Sequence, residues 1–312
     1  MNLKSYVEQY VRYHQSLGKQ FETQSRLLRA FVRKFNSSKT VETLTSTEVE
    51  AYIRESGTSR YWYIKYSTLE PLFRYALARG DIQRNPLPPD PPRRGPKLQP
   101  YIYSKAEIRR LLQATARYQK FPGTLEPITV RTLILLTYGA ALRAGEVRRL
   151  NRKDVLLDDS LITVRDTKFY KSRLVPINEQ VTEAMRAYLH RDSASQADGD
   201  APAFTTRTGG RMATSTVAGH FRRVCAAAGI RRDDDGRFQT RLHDLRHSFA
   251  VHRLVQWYRE GQDVQGLLPH LSVFLGHTQL AATQVYLSMT PQLLQEASQR
   301  FETYAFPETF HA

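Results

Sequence analysis

The sequence has little cysteine: Cys225 stands alone in 312 residues. One thiol excludes an intrachain disulfide and a zinc site built from cysteines alone. Its neighbours Val224, Ala226, Ala227 and Ala228 point to a buried thiol on a helix. No apolar run approaches the roughly 20 residues that a membrane-spanning helix needs. Met1–Tyr10 lacks the basic-then-apolar order of a secretory leader. The expectation is a soluble, cytoplasmic protein with no membrane partner. No GxxxxGK[ST] segment occurs, so no Walker-type nucleotide site is expected. Internal repeats are absent, and low complexity is confined to one proline-rich stretch.

What is present is positive charge. Lys and Arg number 46 against 30 Asp and Glu, a formal net charge of +16. A surplus of that size attracts polyanions, and nucleic acid is the commonest of these. The surplus is spread: residues 1–95 hold 16 basic and 9 acidic side chains, and the remainder holds 30 and 21. Two basic parts on one strap suggest a clamp around a duplex, where a single basic tail would suggest one contact face. The strap is Asn85–Pro100, NPLPPDPPRRGPKLQP, with seven prolines. Proline fixes φ and removes a backbone donor, so this stretch is expected to be extended. It separates a helical domain at 1–85 from a catalytic domain at 101–290, with a linker at 86–100 and a C-terminal helix or tail at 291–312.

Periodicity fills in both domains. Leu3, Tyr6, Val7, Tyr10, Val11, His14 and Leu17 recur at helical spacing, as do Leu27, Leu28, Phe31, Val32 and Phe35. Thr47 and Glu50 can cap a third helix. A fourth runs from about Arg60 to Ala78 and stops at Gly80, with Pro71 expected to kink or split it. Beyond the strap, Val130–Leu150 reads as helix, bent or interrupted at Gly139 and Gly145. Leu161–Val164 and Arg173–Ile177 read as a hairpin. Helices follow at about 179–190, 214–228, 243–259 and 293–304. The fold class expected is α+β, mostly helical, with a small sheet.

Four segments carry chemistry. They are Ala141-Leu142-Arg143-Ala144-Gly145-Glu146; Lys168 in Asp166–Pro176; His243-Asp244-Leu245-Arg246-His247; and Leu275-Gly276-His277, followed nine positions later by Tyr286. In this order they resemble the catalytic domain of the tyrosine recombinases, the phage integrase family. Leu72–Leu87 is similar to the last helix of that family's core-binding domain, a helical module of SAM-like fold. The resemblance implies a site-specific DNA recombinase with Tyr286 as nucleophile and Arg143, Lys168, His243, Arg246 and His277 around it. It further implies a 3′-phosphotyrosyl intermediate, a Holliday junction, a homo-tetramer on double-stranded DNA, and roles in mobile elements with or without accessory DNA-bending proteins. Alignment on Arg173-Leu174-Val175-Pro176 selects Lys168 over its competitors Lys171 and Arg173. Three departures stand out: Ala141 where glycine is common, Leu242 where proline is common, and 31 positions from Arg246 to His277, with the extra residues placed within Val255–Leu271.

The residue types suit that chemistry on their own terms. A phenol attacking a phosphodiester builds negative charge on the non-bridging oxygens, and the planar fork of Arg143 or Arg246 bonds two oxygens at once. The phenol must lose a proton and the leaving 5′ oxygen must gain one. A lysine with its pKa lowered by nearby guanidinium groups can donate it. His243 and His277 can act as base or as phosphate donors. With this charge in place, no metal or other cofactor is called for, and covalent capture on tyrosine conserves the phosphodiester energy. Each residue also has a plainer role. Tyr286 is one of 17 tyrosines and can be a core aromatic. His247 and Asp244 can simply position their helix, and Glu146 can orient Arg143 through an ion pair. Asp233–Gly236, among arginines, reads as a solvated turn. Two other functions fit parts of the pattern: a type IB topoisomerase, with the same chemistry and no synapsis, and a non-catalytic DNA-binding protein. Leu293, Ala297, Phe301 and Tyr304 form an apolar stripe that can dock into a neighbouring subunit, as a recombinase requires, or pack on its own domain.

Overall fold

The computed structural model describes residues 1–18, 21–55, 57–94, 99–165, 172–191, 199–232, 239–289 and 291–305. These fall in two compact units, one within Met1–Lys97 and one beyond it. No helix among the described residues is long and apolar enough to cross a membrane.

The first unit is a four-helix assembly: α1 (Leu3–Ser16), α2 (Glu22–Val32), α3 (Ser46–Arg54) and α4 (Ser59–Ala78). Asn2 starts α1 by accepting the Ser5 N–H at 2.9 Å, and the Leu3, Tyr6, Val7, Tyr10 and Val11 stripe is buried. α3 begins two residues earlier than its sequence suggests. Thr45, not Thr47, is the cap: its hydroxyl accepts the Glu48 N–H, and Glu48 accepts the Thr45 N–H. The choice is physical, because Glu48 also takes Lys39 at 2.6 Å and ties the cap to the preceding loop. α4 runs through Pro71 without splitting. Leu69, Leu72, Phe73 and Ala76 are buried on either side of the proline, and that packing outweighs the lost backbone bond.

The second unit holds α5 (Lys105–Ala114), α6 (Pro127–Gly139), α7 (Ala144–Arg149), a three-stranded sheet, α8 (Glu179–His190), α9 (Thr214–Ala227), α10 (Asp244–Arg259), α11 (Val264–Leu275), α12 (Ala281–Gln284), a 3₁₀ turn at Val285–Ser288, and α13 (Pro291–Ala305). The sheet is antiparallel in the order β1 (Val155–Leu156), β2 (Leu161–Val164), β3 (Arg173–Pro176). Ile162 pairs with Val175 and Val164 with Arg173, which confirms the hairpin and adds a short strand to it. The expected mostly helical α+β class is borne out.

Two features position the site. The helix expected over Val130–Leu150 is two helices, α6 and α7, joined by Ala140–Arg143. Ala141 there has φ 49°, in the left-handed region that favours glycine. α11 fills part of the long stretch between Arg246 and His277, and ends at Gly276 with φ 64°. A separate apolar cluster, including Ala141, Ala250, Val251, Leu254, Leu271, Leu275, Tyr286 and Leu293, joins α10, α11 and the base of α13.

Candidate active site

Each break in helix delivers a side chain. The left-handed turn at Ala141 aims that residue's carbonyl at Arg246, whose Nη1 donates to it at 2.6 Å. Arg246 Nη2 donates to the Leu275 carbonyl at the end of α11. Arg246 is 1% exposed, and burial, with the charge of Arg143 adding to it, lowers its pKa to about 10. The guanidinium is thus pinned between two chain segments, with one Nη donating to a backbone oxygen of each. Leu275 and Gly276 form the turn into His277, so the same bonds fix the start of the segment that carries Tyr286.

Arg143 caps α7 and is held by a shared carboxylate. Its Nη1 donates to Glu146 Oε1 at 2.7 Å, its backbone N–H to Oε2 at 2.9 Å, and its Nη2 to the Gly276 carbonyl at 3.0 Å. Arg173, at the start of β3, grips the same carboxylate with both Nη atoms at 3.1 and 2.9 Å. Glu146 is buried, which alone would raise its pKa. The bonds and charge of Arg173, with the backbone N–H and charge of Arg143, outweigh burial and hold the carboxyl at about 2. Arg173 is therefore committed to Glu146. Gly276 lies against it: a Cβ there would meet Arg173 Nη1 at 2.7 Å. Lys168 and Lys171 lie outside the described residues, as does Asp233–Gly236.

Tyr286 sits in the 3₁₀ turn and is 2% exposed. Its ring stacks on His277, with centroids 6.2 Å apart and planes 18° apart. Nδ1 of His277 is hydrogen-bonded to Thr283 Oγ1 at 2.8 Å, which fixes the ring. The Tyr286 hydroxyl is hydrogen-bonded to Nδ1 of His247 at 2.9 Å, and His247 packs edge-on against His243 at 4.9 Å. Burial raises the phenol's pKa, against the pull of the Arg246 and Arg143 charges. Burial also lowers each of the three histidines to about 4, helped by neighbouring charge: Arg246 for all three, Arg143 for His277, Arg241 for His247. At neutral pH the phenol is protonated and the imidazoles are neutral.

Arg143, His243, Arg246, His277 and Tyr286 thus come together in one domain from three of the four sequence segments. Sequence reading left His247 as a helix-positioning residue. Its position was informative all the same: four residues after His243, it lies on the same face of the helix. Arg173, a competitor for the lysine role in the sequence, instead holds Glu146, and Thr283 carried no signal of its own because it acts through a histidine.

The sequence model of the phage integrase family matches residues 102–292. An integrase/recombinase by name, y4rB of Sinorhizobium fredii, is 34% identical over 306 residues, covering 95% of this chain and 96% of that protein. The tyrosine recombinase XerA of Thermococcus kodakarensis is 31% identical over 251 residues, with 80% and 78% covered. The Tn1549 transposon integrase, solved in complex with circular intermediate DNA, shares the fold with a TM-score of 0.67 at 17% identity, over 97% of this chain and 99% of that one. The family match spans more than half the chain and brackets both the arginine turn and Tyr286, and the relatives extend it over the first unit, so this chain belongs to the phage integrase family, the tyrosine recombinases.

Proposed function

We propose that this recombinase cuts and rejoins duplex DNA at a specific site through Tyr286. The phenol oxygen attacks the scissile phosphorus and leaves a 3′-phosphotyrosyl link and a free 5′ hydroxyl. A 5′ hydroxyl from a partner duplex reverses the step, and two rounds pass through a Holliday junction within a tetramer. The observation that carries this reading is the set of two guanidinium groups and three imidazoles gathered about one buried phenol. Arg143 and Arg246 supply the charge that offsets the phosphorane; Arg143 is preorganised by Glu146 and the Gly276 carbonyl, and Arg246 by two backbone carbonyls. Lys168 is the proposed acid for the leaving oxygen. The DNA-bound Tn1549 integrase structure supports DNA as the partner, and the basic surplus on both sides of the proline-rich stretch supports a clamp.

The tail divides into two parts. Leu293 is fully buried, and Arg259 pairs with Glu296 at 2.6 Å, so the stem of α13 is held on α10 of its own chain. Phe301 is 65% exposed, and this far end is what we assign to docking in a neighbouring subunit. The test is a plasmid carrying two copies of the DNA that footprinting shows to be protected. The reading requires recombinant products from wild type and none from Tyr286→Phe. Relaxation of supercoils by monomers, without recombinants, would instead favour a topoisomerase.

A further inference from the structure

Among the described residues three histidines stand about the Tyr286 phenol, and they meet it in different ways. His277 has its Nδ1 occupied by Thr283, and its ring lies nearly parallel to the Tyr286 ring. That stacked geometry suits a phosphate donor or a wall, because an imidazole nitrogen accepts in the plane of its own ring. His243 touches His247 through its ring edge, and no hydrogen bond joins it to the Tyr286 hydroxyl. His247 is at hydrogen-bond distance, 2.9 Å, with its ring tilted 52° to that of Tyr286.

We infer that His247 is the general base for the nucleophile, the residue that accepts the Tyr286 proton during cleavage and returns it during rejoining. The inference rests on Tyr286 being the nucleophile. In the tautomer with its proton on Nε2, His247 accepts the phenol O–H at Nδ1. As Oη bonds to phosphorus, the O–H bond breaks, its electron pair forms the new O–P bond, and the proton stays on Nδ1. The P–O5′ bond breaks with its pair on oxygen, which takes a proton from the general acid. Rejoining runs each transfer backwards, so no proton and no cofactor is consumed.

The surroundings explain why the base sits here. His247 faces Arg241, His243 and Arg246 from its own helix and its approach, His277 from the α11–α12 turn, and Tyr286 from the 3₁₀ turn. Burial, with the charges of Arg241 and Arg246 adding to it, keeps the imidazole neutral without DNA and free to accept. When a phosphate enters, its charge offsets Arg143 and Arg246. The imidazolium then becomes easier to form at the moment the proton must move. One incoming charge would therefore bring the substrate and strengthen the base together. The approach of like charge to the developing phenolate is covered by the same two guanidinium groups.

The test uses the full-length protein and a nicked suicide duplex cut from the footprinted DNA, under single turnover. Wild-type adduct formation should rise with pH and then level off. His247→Gln keeps a hydrogen-bond partner for the hydroxyl but cannot take its proton near neutrality. Its rate at pH 7 should fall by roughly 100-fold or more, within the range typical of a lost general base. The plateau should vanish, leaving a rate that climbs log-linearly with hydroxide. His247→Asn is the second variant, and melting curves and gel shifts on both exclude loss of fold or DNA binding. A profile of wild-type shape in these variants, whether fast or slow, overturns the inference, since a residue that only positions Tyr286 lowers the rate without moving the profile. Tyr286→Phe separates the two readings. If it abolishes adducts while His247→Gln behaves as wild type, the base assignment fails alone; if it still forms adducts, the nucleophile assignment fails.

Discussion

Glu146→Gln isolates the strongest electrostatic element of the site. The carboxylate is buried between Arg143 and Arg173 and titrates at about 2, against an ordinary 4.5. A depressed carboxylate stabilises the fold above its unfolded pKa, and that contribution is lost as pH falls through the folded value. At about 1.4 kcal/mol per unit, the charged form contributes on the order of 3 kcal/mol at pH 7. Linkage puts the contribution near 2 kcal/mol at pH 3.5. The glutamine variant removes it entirely and leaves two guanidinium groups facing each other in a buried site, a loss typically of about 3–5 kcal/mol. Urea unfolding of wild type and variant from pH 7 to pH 3.5 should show a gap of roughly 3 kcal/mol that narrows as wild type loses the charge. Two results refute the reasoning: equal stabilities at pH 7, or a gap of constant size across the range, which would mean a steric defect.

Three further outcomes follow from the same geometry. Gly276→Ala combines φ 64° with a Cβ at 2.7 Å from Arg173 Nη1, so it should cost about 1–2 kcal/mol from the backbone alone; melting curves should fall and adduct formation with them, because the Gly276 carbonyl holds Arg143. Leu293→Ala should destabilise the monomer by about 2–4 kcal/mol, whereas Phe301→Ala should leave monomer melting unchanged and reduce synapsis in sedimentation on a full site; the reverse pattern would remove the proposed division of the tail. Lys168→Ala should be slow on ordinary DNA and largely rescued when the bridging 5′ oxygen is replaced by sulfur, which departs without a proton; equal impairment on both substrates would move the acid role elsewhere.

The order of the proposed site residues was legible because the chemistry they suit demands particular residue types at fixed intervals, and Arg143, His243, Arg246, His277 and Tyr286 lie together in the structure. The hairpin was legible from its β-branched strands. Helix boundaries were less so. Thr45 and Thr47 each precede a glutamate by three residues, and only the tertiary contact from Lys39 decides between them. Pro71 argued for a broken helix by local rules that packing of Leu72 and Phe73 overrides. α5 went unread, although Ser104 and Glu107 form a capping box at its start. The departure of Ala141 from glycine was visible in the sequence, but its meaning was not. The strained turn presents a carbonyl to Arg246, and a bond between residues 105 positions apart leaves no local pattern. His247 was missed for a similar reason, since its partner lies 39 positions away.

The most direct test of the account is the identity of the DNA-linked residue. Wild-type protein trapped on a nicked suicide duplex, digested with protease and mapped by mass spectrometry, should yield one cross-linked peptide, with the 3′ phosphate on Tyr286. The opposing 5′ end should be a free hydroxyl that a kinase can label. A cross-link on any other residue, or a 5′-linked adduct, would contradict the mechanism proposed for this recombinase.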